Sequence, residues 1–467
     1  MPHRRARIWL PTGWDLAILG IIVIAGLFID RPSFKQQAPW LASLQMQAHS
    51  ALTWLSWGAP NPAAVAVIEI DDSTFWSPPL AGVQPTSRAY LADLVNAAVK
   101  AGARVVGLDF QLKSPTAVPY DDPVRTADNR KLLAAILAAG QAHVPVVLTT
   151  GFVLEGARWK REPNICDDRE RCRLFFVNPH SNPLLLGNPP AVGGVPSCQD
   201  LNQDGAVTVG YINLPADRRE IPLGFVADDF DSTENQDYFS FALQVASAYE
   251  GRLDYEAHPG HSAAAVSTGE FSPPYQKALD ATNQNEFVYA GFMPRDAFQK
   301  YTVRARDLEE ASLSATRWDA APEPAELHGR IALIGATWHE WGQGRGPVVD
   351  EYSSPVGPLP GVYLHANYIE ALLGGRFAPS LSGLYARIIE VLFGYMLIVM
   401  MHAWEKAGQR LLVWFVGSFA LAVLALVLAW RGLYLDFALV AFLLLAHVFA
   451  EHYENLRERA KQGGHLR

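Results

Sequence analysis

Apolar residues are concentrated in four blocks of this chain, one close to the N-terminus and three close to the C-terminus. The C-terminal blocks cover residues 385–402, 411–429 and 433–450, and the second contains no charged residue over a length that can cross a bilayer. The N-terminal block, 16–29, is shorter, but no small-residue cleavage motif follows it, which favours an uncleaved anchor. The pattern predicts four transmembrane helices, with one soluble domain at 30–380 between the first and the second.

Within the soluble domain the pattern changes to short apolar runs that alternate with helical periodicity. After a predicted helix at 35–57, five runs are typical of strands of a parallel sheet buried on both faces, namely VAVIEI, ARVVGLDF, VPVVLTTG, AVTVGYINL and RIALIGAT. Helices are predicted between them, including one that Ser87 caps and Gly102 ends, and others over YFSFALQVASAYEG and GVYLHANYIEALLGG. A Pro- and Gly-rich insertion interrupts the pattern at 155–196. The predicted fold class is an α/β extracytoplasmic domain with a mostly parallel sheet covered by helices.

Three groups of basic residues in the short segments beside the predicted spans lie on one side of the membrane in a four-span topology. They occur in residues 1–15, in the loop after the second span, and in the tail 451–467. The positive-inside rule places these segments in the cytoplasm and residues 30–380 outside it. We therefore expect a multi-pass protein of a bacterial inner membrane, with a large periplasmic domain and both termini cytoplasmic.

Charge narrows the range of partners. The chain has a formal net charge of −9, which argues against a nucleic-acid partner. Residues 31–380 carry 27 basic and 39 acidic side chains, a net charge of −12, so this part should stay away from anionic lipid and favour cationic or metal ligands. A requirement for solubility explains the same charge equally well.

Carboxylates follow two of the predicted strands. Asp71 and Asp72 come directly after VAVIEI, and Asp109 comes at the end of GARVVGLD. Because open α/β sheets bind ligands outside the carboxyl ends of their strands, these three side chains are ligand-binding candidates in one crevice. The alternative is that one aspartate of each strand end caps the turn or helix that follows. Catalysis is the least favoured role, since no nucleophile–base pair accompanies these aspartates in the sequence.

A partial calcium turn is the first of two further candidates for metal binding. The stretch DLNQDG places Asp200, Asn202 and Asp204 at the alternate positions that a calcium-binding loop uses. Position twelve is Tyr211 instead of glutamate, which excludes an EF-hand. His339 and His365 are the second candidate, together with Asp350, but their spacing does not require a metal, and a histidine in an apolar helix is more often packed in the core.

The three cysteines, Cys166, Cys172 and Cys198, all occur in one polar region around the insertion. An oxidising compartment permits a disulfide there, and a bond between Cys166 and Cys172 would close the shortest loop. Metal binding is the alternative, although the region has no CxxC motif. The stretch GQGRG at 342–346 is interpreted as a mobile loop, because no helix begins where a bound phosphate would need one.

Several of these stretches, in this order, resemble a known family: VAVIEIDDSTF, GARVVGLDF, VGYINLPADRREIPL, FSFALQVA, GRIALIGAT, Asp350 with SSPVG, and LPGVYLHANYIEALLGG. Over most of residues 35–380 the chain is similar to the second CHASE family, the cyclase/histidine-kinase-associated extracellular sensory domains. The resemblance implies a periplasmic sensory domain and makes Asp350 a fourth ligand-binding candidate. It also implies a cytoplasmic cyclase, kinase or diguanylate-type output domain, yet only 17 residues follow Ala450, too few for a catalytic domain.

The predicted function is therefore that of a sensor subunit that perceives an unknown periplasmic signal and passes it through its membrane helices to a separate partner. We expect no enzymatic activity of its own, and no cofactor apart from calcium at the turn described above. The lipid bilayer and an output protein at or inside the membrane are the expected partners, and homo-oligomer formation stays open. Two alternatives come from other classes: a membrane-anchored periplasmic hydrolase that uses Asp71, Asp72 and Asp109 with a metal, and an envelope scaffold protein.

Overall fold

The computed structural model describes the chain in separate stretches. They cover residues 39–57, 62–84, 86–112, 123–155, 158–161, 207–212, 219–228, 235–250, 287–313, 325–379 and 407–431, with residues 388, 389, 392, 393, 395, 396 and 453. The predicted spans at 16–29 and 433–450 lie outside these residues, and only six residues of the span at 385–402 are described.

Helices and strands alternate through most of the described chain. The helices are α1 (Pro39–Trp57), α2 (Asp72–Phe75), α3 (Arg88–Lys100), α4 (Pro123–Gln141), α5 (Phe241–Tyr249), α6 (Ala305–Leu313), α7 (Gly361–Gly374) and α8 (Ala407–Trp430), and a 3-10 helix covers Arg295–Tyr301. The strands are β1 (Val65–Ile70), β2 (Val105–Gln111), β3 (Val146–Thr150), β4 (Phe152–Glu155), β5 (Arg158–Arg161), β6 (Val207–Tyr211), β7 (Glu220–Pro222), β8 (Gly224–Asp228), β9 (Asn235–Phe239), β10 (Phe287–Ala290), β11 (Thr302–Arg304), β12 (Ile331–Ala336), β13 (Glu351–Ser354), β14 (Gly357–Pro360) and β15 (Phe377–Pro379).

A six-stranded sheet in the order β11-β1-β12-β2-β3-β6 lies at the centre of the fold, and every neighbouring pair in it is parallel. Val65 of β1 pairs with Ile331 of β12, and the two strands stay in register up to their last residues. All six residues of β1 are buried, as expected of a strand that is covered on both faces. The prediction of a mostly parallel sheet is confirmed, and β1, β12 and β2 end side by side at its carboxyl edge.

Helices cover both faces of this sheet. Alternation along β1 directs Ala66, Ile68 and Ile70 to the face on which α3, α4 and α6 pack. Val65 and Val67 point to the opposite face, which α5 and α7 cover. Two apolar cores therefore lie on either side of one sheet, in a three-layer α/β/α arrangement.

Helix α7 is buried at every residue from Gly361 to Leu372 and lies very close to the sheet. A Cβ atom added at Gly335 of β12 would come within 2.5 Å of the Cβ of Val362. A Cβ at Gly107 of β2 would come within 3.2 Å of the Phe241 ring on α5. Glycine at these two strand positions therefore sets the short distance between the sheet and its helices.

The ends of two predicted helices can be compared directly with the structure. Ser87 accepts a hydrogen bond from the backbone N–H of Tyr90 at the start of α3, and Gly102 follows its end with a φ of 79°, so that prediction is confirmed. The helix predicted over YFSFALQVASAYEG is wrong at its start, because Asn235–Phe239 forms β9. The reason is Ser240, whose side chain accepts a hydrogen bond from the N–H of Leu243 and begins α5 at the next residue.

The described residues also form three smaller sheets. Their strand orders are β4-β5-β8-β9, β15-β10-β7 and β13-β14. Strands β4 and β5 form an antiparallel hairpin at the beginning of the predicted insertion, and residues 162–196 of that insertion lie outside the described residues.

The chain divides into two compact units, one formed by Ala59–Phe377 and the other by Met1–Gly58 with Ala378–Arg467. The first unit contains the central sheet. In the second, α1 packs against α8. Among the described residues, one helical stretch, Leu412–Trp430 of α8, is long and apolar enough to cross a membrane.

The surface of α8 suits a lipid environment. Large apolar side chains are exposed along it, at Leu412, Phe415, Val416, Phe419, Val423, Leu424, Val427 and Trp430. Buried positions recur on another side and are mostly small or medium in size, at Val413, Leu421, Ala425 and Ala429. An apolar surface of this extent is unfavourable in water and favourable in a bilayer. Helix α8 therefore fits a membrane anchor and coincides with the predicted span at 411–429.

Candidate functional site

Asp71 follows β1 and caps the short helix α2. Its Oδ1 accepts a hydrogen bond from the backbone N–H of Thr74 at 2.9 Å, and from the hydroxyls of Ser73 and Thr74 at 2.8 Å each. Its Oδ2 lies 3.8 Å from Nε of Arg304 on the neighbouring strand β11. Asp71 thus has the capping role that the sequence left as the alternative to ligand binding.

Asp72 holds the loop after β12, residues 338–350, close to the end of β1. Its Oδ1 accepts a hydrogen bond from the N–H of His339 at 2.7 Å, while Oδ2 accepts one from the N–H of Gly344 at 2.7 Å and lies 2.8 Å from His339 Nδ1. Partial burial acts to raise the pKa of Asp72, but these hydrogen bonds and the charge of His339 outweigh it and lower the pKa. The stretch GQGRG, interpreted from the sequence as a mobile loop, is therefore tied to β1 through one carboxylate.

Asp109 at the end of β2 meets His365 of α7 in the interior. Nε2 of His365 lies 3.7 Å from Oδ1 of Asp109, and the two side chains are only 5% and 6% exposed. Burial raises the pKa of Asp109 to about 7 and lowers the pKa of His365 to about 4. Nδ1 of His365 is buried and has no hydrogen-bond partner among the described residues.

Asp350 is an exposed residue beside the start of α7, and it acts on this buried pair through its charge. Its backbone has a φ of 62°, its C=O accepts a hydrogen bond from the N–H of Gly361 at 2.8 Å, and its Oδ1 accepts one from the hydroxyl of Tyr352 at 2.5 Å. Its negative charge raises the pKa of His365, opposing the larger effect of burial. We call Asp109, His365 and Asp350 the acid–histidine cluster.

The four predicted ligand-binding aspartates therefore belong to two different places. Asp109 faces His365 and Asp350 acts on His365 through its charge, whereas Asp71 and Asp72 serve local hydrogen bonds at the end of β1. The cluster holds a neutral histidine and a carboxyl group whose pKa lies near neutrality. Such a group can take up or release a proton, or exchange hydrogen bonds with a ligand, near neutral pH.

A second polar network, buried except for the half-exposed Arg295, joins β1 to α7 near the same edge. Oε1 of Glu69 accepts hydrogen bonds from Arg295 Nη2 at 2.5 Å and from the hydroxyl of Tyr363 at 2.7 Å. The Tyr363 hydroxyl lies 3.0 Å from Oγ1 of Thr302 on β11. Burial has the largest effect on the pKa of Tyr363 and the charge of Glu69 the second largest, and both raise it. The phenol therefore stays protonated and can donate its hydrogen bond.

Glu370, further along α7, binds the start of β1. Its Oε1 accepts hydrogen bonds from three successive backbone N–H groups, those of Ala63, Ala64 and Val65, at 2.9, 2.8 and 2.7 Å. The residue is only 2% exposed. A buried carboxylate is stable there because these donors replace the water that it has lost.

Asn367 fixes the middle of α7 in a similar way. Its Oδ1 accepts a hydrogen bond from the N–H of Met293 at 2.6 Å, and its Nδ2 donates to the C=O of Met293 at 3.1 Å. Together with Tyr363, His365 and Glu370, it gives one buried helix four polar side chains, each directed to a different part of the fold.

Sequence reasoning did not single out Tyr363, Asn367 and Glu370. The available signal was their position in a helix that is otherwise apolar all round, because a buried helix must find partners for its polar side chains. The partners themselves, Glu69 and the N–H groups of residues 63–65, are about 300 residues away in the chain, with separations of 294 for Tyr363–Glu69 and 305 for Glu370–Val65.

Several predicted sites lie outside the described residues: the calcium-turn residues Asp200, Asn202 and Asp204 and the cysteines Cys166, Cys172 and Cys198. Within the described stretches, no group of three or more His, Cys, Asp or Glu side chains is arranged to hold a metal ion. His339 is bound to Asp72 and His365 faces Asp109, so these two histidines do not form one group.

The family model described as CHASE2 domain matches residues 18–405 of the chain. Searches of curated proteins and of solved structures gave no match.

Proposed function

We propose, from the chain's membership of the CHASE2 family of extracellular sensory domains, that it is a membrane-anchored sensor of the bacterial inner membrane. A periplasmic signal acts at the acid–histidine cluster and changes the position of α7 against the sheet. The change passes through the membrane helices to a separate partner protein, which produces the output.

The observation that carries this proposal is the placement of polar contacts along α7. His365 faces Asp109 at the carboxyl edge, and Glu370, about 7 Å further along the helix, binds residues 63–65 at the opposite end of β1. Residues 63–65 lie where the chain has just left α1, and α7 is followed within a few residues by Ala378, where the second unit resumes. We call the second unit, Met1–Gly58 with Ala378–Arg467, the membrane unit because it contains α8. A shift of α7 therefore acts on both chain connections to the membrane unit.

The cluster is suited to produce such a shift. The 3.7 Å separation of His365 and Asp109 is longer than a normal hydrogen bond, so a ligand or a proton that changes this contact alters the free energy of the buried pair. A ligand moves a helix only if it binds two helix positions unequally. Helix shifts of about 1–2 Å at packed interfaces are a common means of such transmission.

Transmission to a partner is tested by capturing the partner in the membrane. The full chain is cross-linked in its native membranes and purified, and we expect a cyclase, a kinase or another regulatory protein to co-purify with it. The Glu370→Ala variant should change the yield of this complex, whereas Glu310→Gln, at an exposed position of α6, should not. A homo-oligomer without any co-purifying protein would favour a scaffold, and chelator-sensitive hydrolysis by the purified chain would favour a hydrolase.

The proposed topology has four spans, with residues 31–380 in the periplasm and both termini in the cytoplasm. Its support is the distribution of basic residues beside the apolar blocks, together with the apolar surface of α8. Reporter fusions at residue 200 and at the C-terminus should report opposite sides of the membrane. The same side for both fusions would rule this topology out.

A further inference from the structure

Two tryptophans are exposed at the carboxyl edge of the central sheet, in the loops after β1 and β12. Trp341 is 73% exposed and Trp76 is 41% exposed. The carboxyl edge is where parallel α/β sheets bind ligands. Large aromatic side chains on a water-facing surface are a mark of binding when they are held in place.

Both rings are held by backbone contacts with glycines. A Cβ atom at Gly346 would come within 3.0 Å of the Trp341 indole, so the ring lies directly against the backbone there. A Cβ at Gly82 or at Gly342 would come within 2.7 Å or 3.1 Å of the Trp76 ring. All three glycines have positive φ values, between 71° and 82°, a conformation that other residues rarely adopt.

The loop that carries Trp341 is also fixed at its base. Asp72 accepts hydrogen bonds from the N–H groups of His339 and Gly344, one on each side of Trp341. The Trp76 Nε1–H donates to the C=O of His339 at 3.2 Å. The loop is therefore ordered before a partner binds, and binding loses little conformational entropy at this surface.

Planar polar side chains accompany the exposed indole. Gln343 and Arg345 are exposed in the same turn, and Arg345 Nη2 donates a hydrogen bond to Gln343 Oε1 at 3.1 Å. The N–H of Trp341 donates to the C=O of Arg345 at 3.2 Å, which closes the turn and keeps these residues near one another.

From these contacts we infer that the loops after β1 and β12 form a saccharide-binding surface centred on Trp341 and Trp76. A sugar ring has an apolar C–H face that packs on an indole, and a rim of hydroxyls that amide and guanidinium groups bind. The surface supplies indole faces together with amide and guanidinium groups, and the loops that carry them are fixed by hydrogen bonds. The domain belongs to a sensory family. Gln343 and Arg345 bind the hydroxyls.

Other occupants fit the surface less well. The two indoles offer roughly 150–250 Å² each, part of it already buried, against about 800 Å² per partner in a standard protein interface. Residues 31–380 carry a net charge of −12, which repels anionic lipid. Arg345 in the same turn disfavours a cationic ligand, to which an aromatic surface is otherwise open.

The test uses the full chain in lipid nanodiscs and an array of neutral and N-acetylated oligosaccharides. The oligosaccharide that binds best is then titrated by calorimetry against the wild type and the variants. Trp341→Ala should weaken binding about tenfold or more, while Trp341→Phe retains part of it. Asp72→Asn should weaken binding because it frees the loop, and Trp54→Ala, at an exposed tryptophan of α1, should leave it unchanged.

Two results would overturn the inference whatever the fate of the signalling proposal, since binding is measured directly. One is the absence of binding to every oligosaccharide on the array by wild type. The other is equal affinity of wild type and Trp341→Ala, with equal melting temperatures showing that both are folded. Trp341-dependent binding to phosphatidylglycerol vesicles in place of oligosaccharides would assign the surface to lipid instead.

Discussion

Removing the Glu370 carboxylate should loosen the start of β1. In the wild type its Oε1 accepts hydrogen bonds from the N–H groups of Ala63, Ala64 and Val65 at 2.9, 2.8 and 2.7 Å. Ala63 is exposed, so its N–H can turn to water, but Ala64 and Val65 are buried. The substitution Glu370→Ala therefore leaves two buried donors without an acceptor.

The structure sets the size of this effect. An unsatisfied buried donor costs about 1–3 kcal/mol, so two of them destabilise the strand start by about 2–6 kcal/mol. Glu370→Gln keeps a neutral acceptor at the same place and should cost less, about 1–3 kcal/mol, because hydrogen bonds to a charged group are the stronger ones.

Amide hydrogen exchange of the full chain in nanodiscs measures this opening residue by residue. At Ala64 and Val65 we expect exchange about 30-fold faster or more in Glu370→Ala, which corresponds to about 2 kcal/mol, and a smaller increase in Glu370→Gln. Glu310→Gln is the matched control, since its carboxylate pairs with Arg306 in solvent. Unchanged exchange at Ala64 and Val65 in Glu370→Ala would refute the idea that this carboxylate holds β1.

Three further predictions concern the helix–sheet interface, each measured by thermal denaturation of the full chain. Burial raises the pKa of Asp109 to about 7 from about 3.9 in the unfolded chain. Its contribution to stability, roughly 4 kcal/mol, is therefore lost as pH rises from about 4 to 7, and Asp109→Asn should abolish this loss. Burial lowers the pKa of His365 to about 4 from about 6.5, so its effect on stability has the opposite pH dependence. Stability is lost as pH falls from about 6.5 to 4, and His365→Gln should remove that loss. Melting profiles parallel to the wild type in either variant would contradict these pKa shifts. Gly335→Ala should cost about 1–3 kcal/mol through its contact with Val362, and adding Val362→Ala should recover part of it, whereas additive losses would exclude this contact as the cause.

The central sheet can be predicted from the sequence because its main strands are apolar along their whole length. VAVIEI and RIALIGAT are runs of strand length without polar alternation, which is the pattern of a strand covered on both faces. Strand β11, Thr302–Arg304, has no such pattern, because it is a three-residue edge strand that is only partly buried. Its pairing with β1 depends on the position of the preceding 3-10 helix.

The candidate site is predictable only in part. The sequence places Asp71 and Asp72 directly after β1, which is correct, and it places Asp109 at the end of its strand, whereas β2 continues to Gln111. The sequence does not show which aspartate caps a helix, because this depends on backbone geometry. Asp71 accepts a hydrogen bond from the N–H of Thr74 only because α2 begins there. The contact between Asp109 and His365 depends on the packing of α7 against β2, and no local pattern encodes it.

For the polar residues of α7, the sequence predicts that hydrogen-bond partners exist but does not identify them. A helix that is apolar all round must be buried, and its few polar residues must then be hydrogen-bonded. The sequence therefore predicts that Tyr363, Asn367 and Glu370 have partners. It does not predict that the partner of Glu370 is the start of β1, because that contact depends on the direction in which α7 crosses the sheet.

The central claim, that α7 couples the acid–histidine cluster to the connections with the membrane unit, is tested most directly by amide hydrogen exchange in Asp109→Asn. This substitution removes the buried ionisation at the carboxyl edge, and Asp93→Asn, which removes an exposed partner of Lys131, is the control. At a pH above 7, coupling through α7 predicts that Asp109→Asn changes the exchange rates of Ala64 and Val65 several-fold, although these amides contact Glu370 and not Asp109. Changes confined to β2 and the first turns of α7, with Ala64 and Val65 the same as in the wild type and the control, would contradict it.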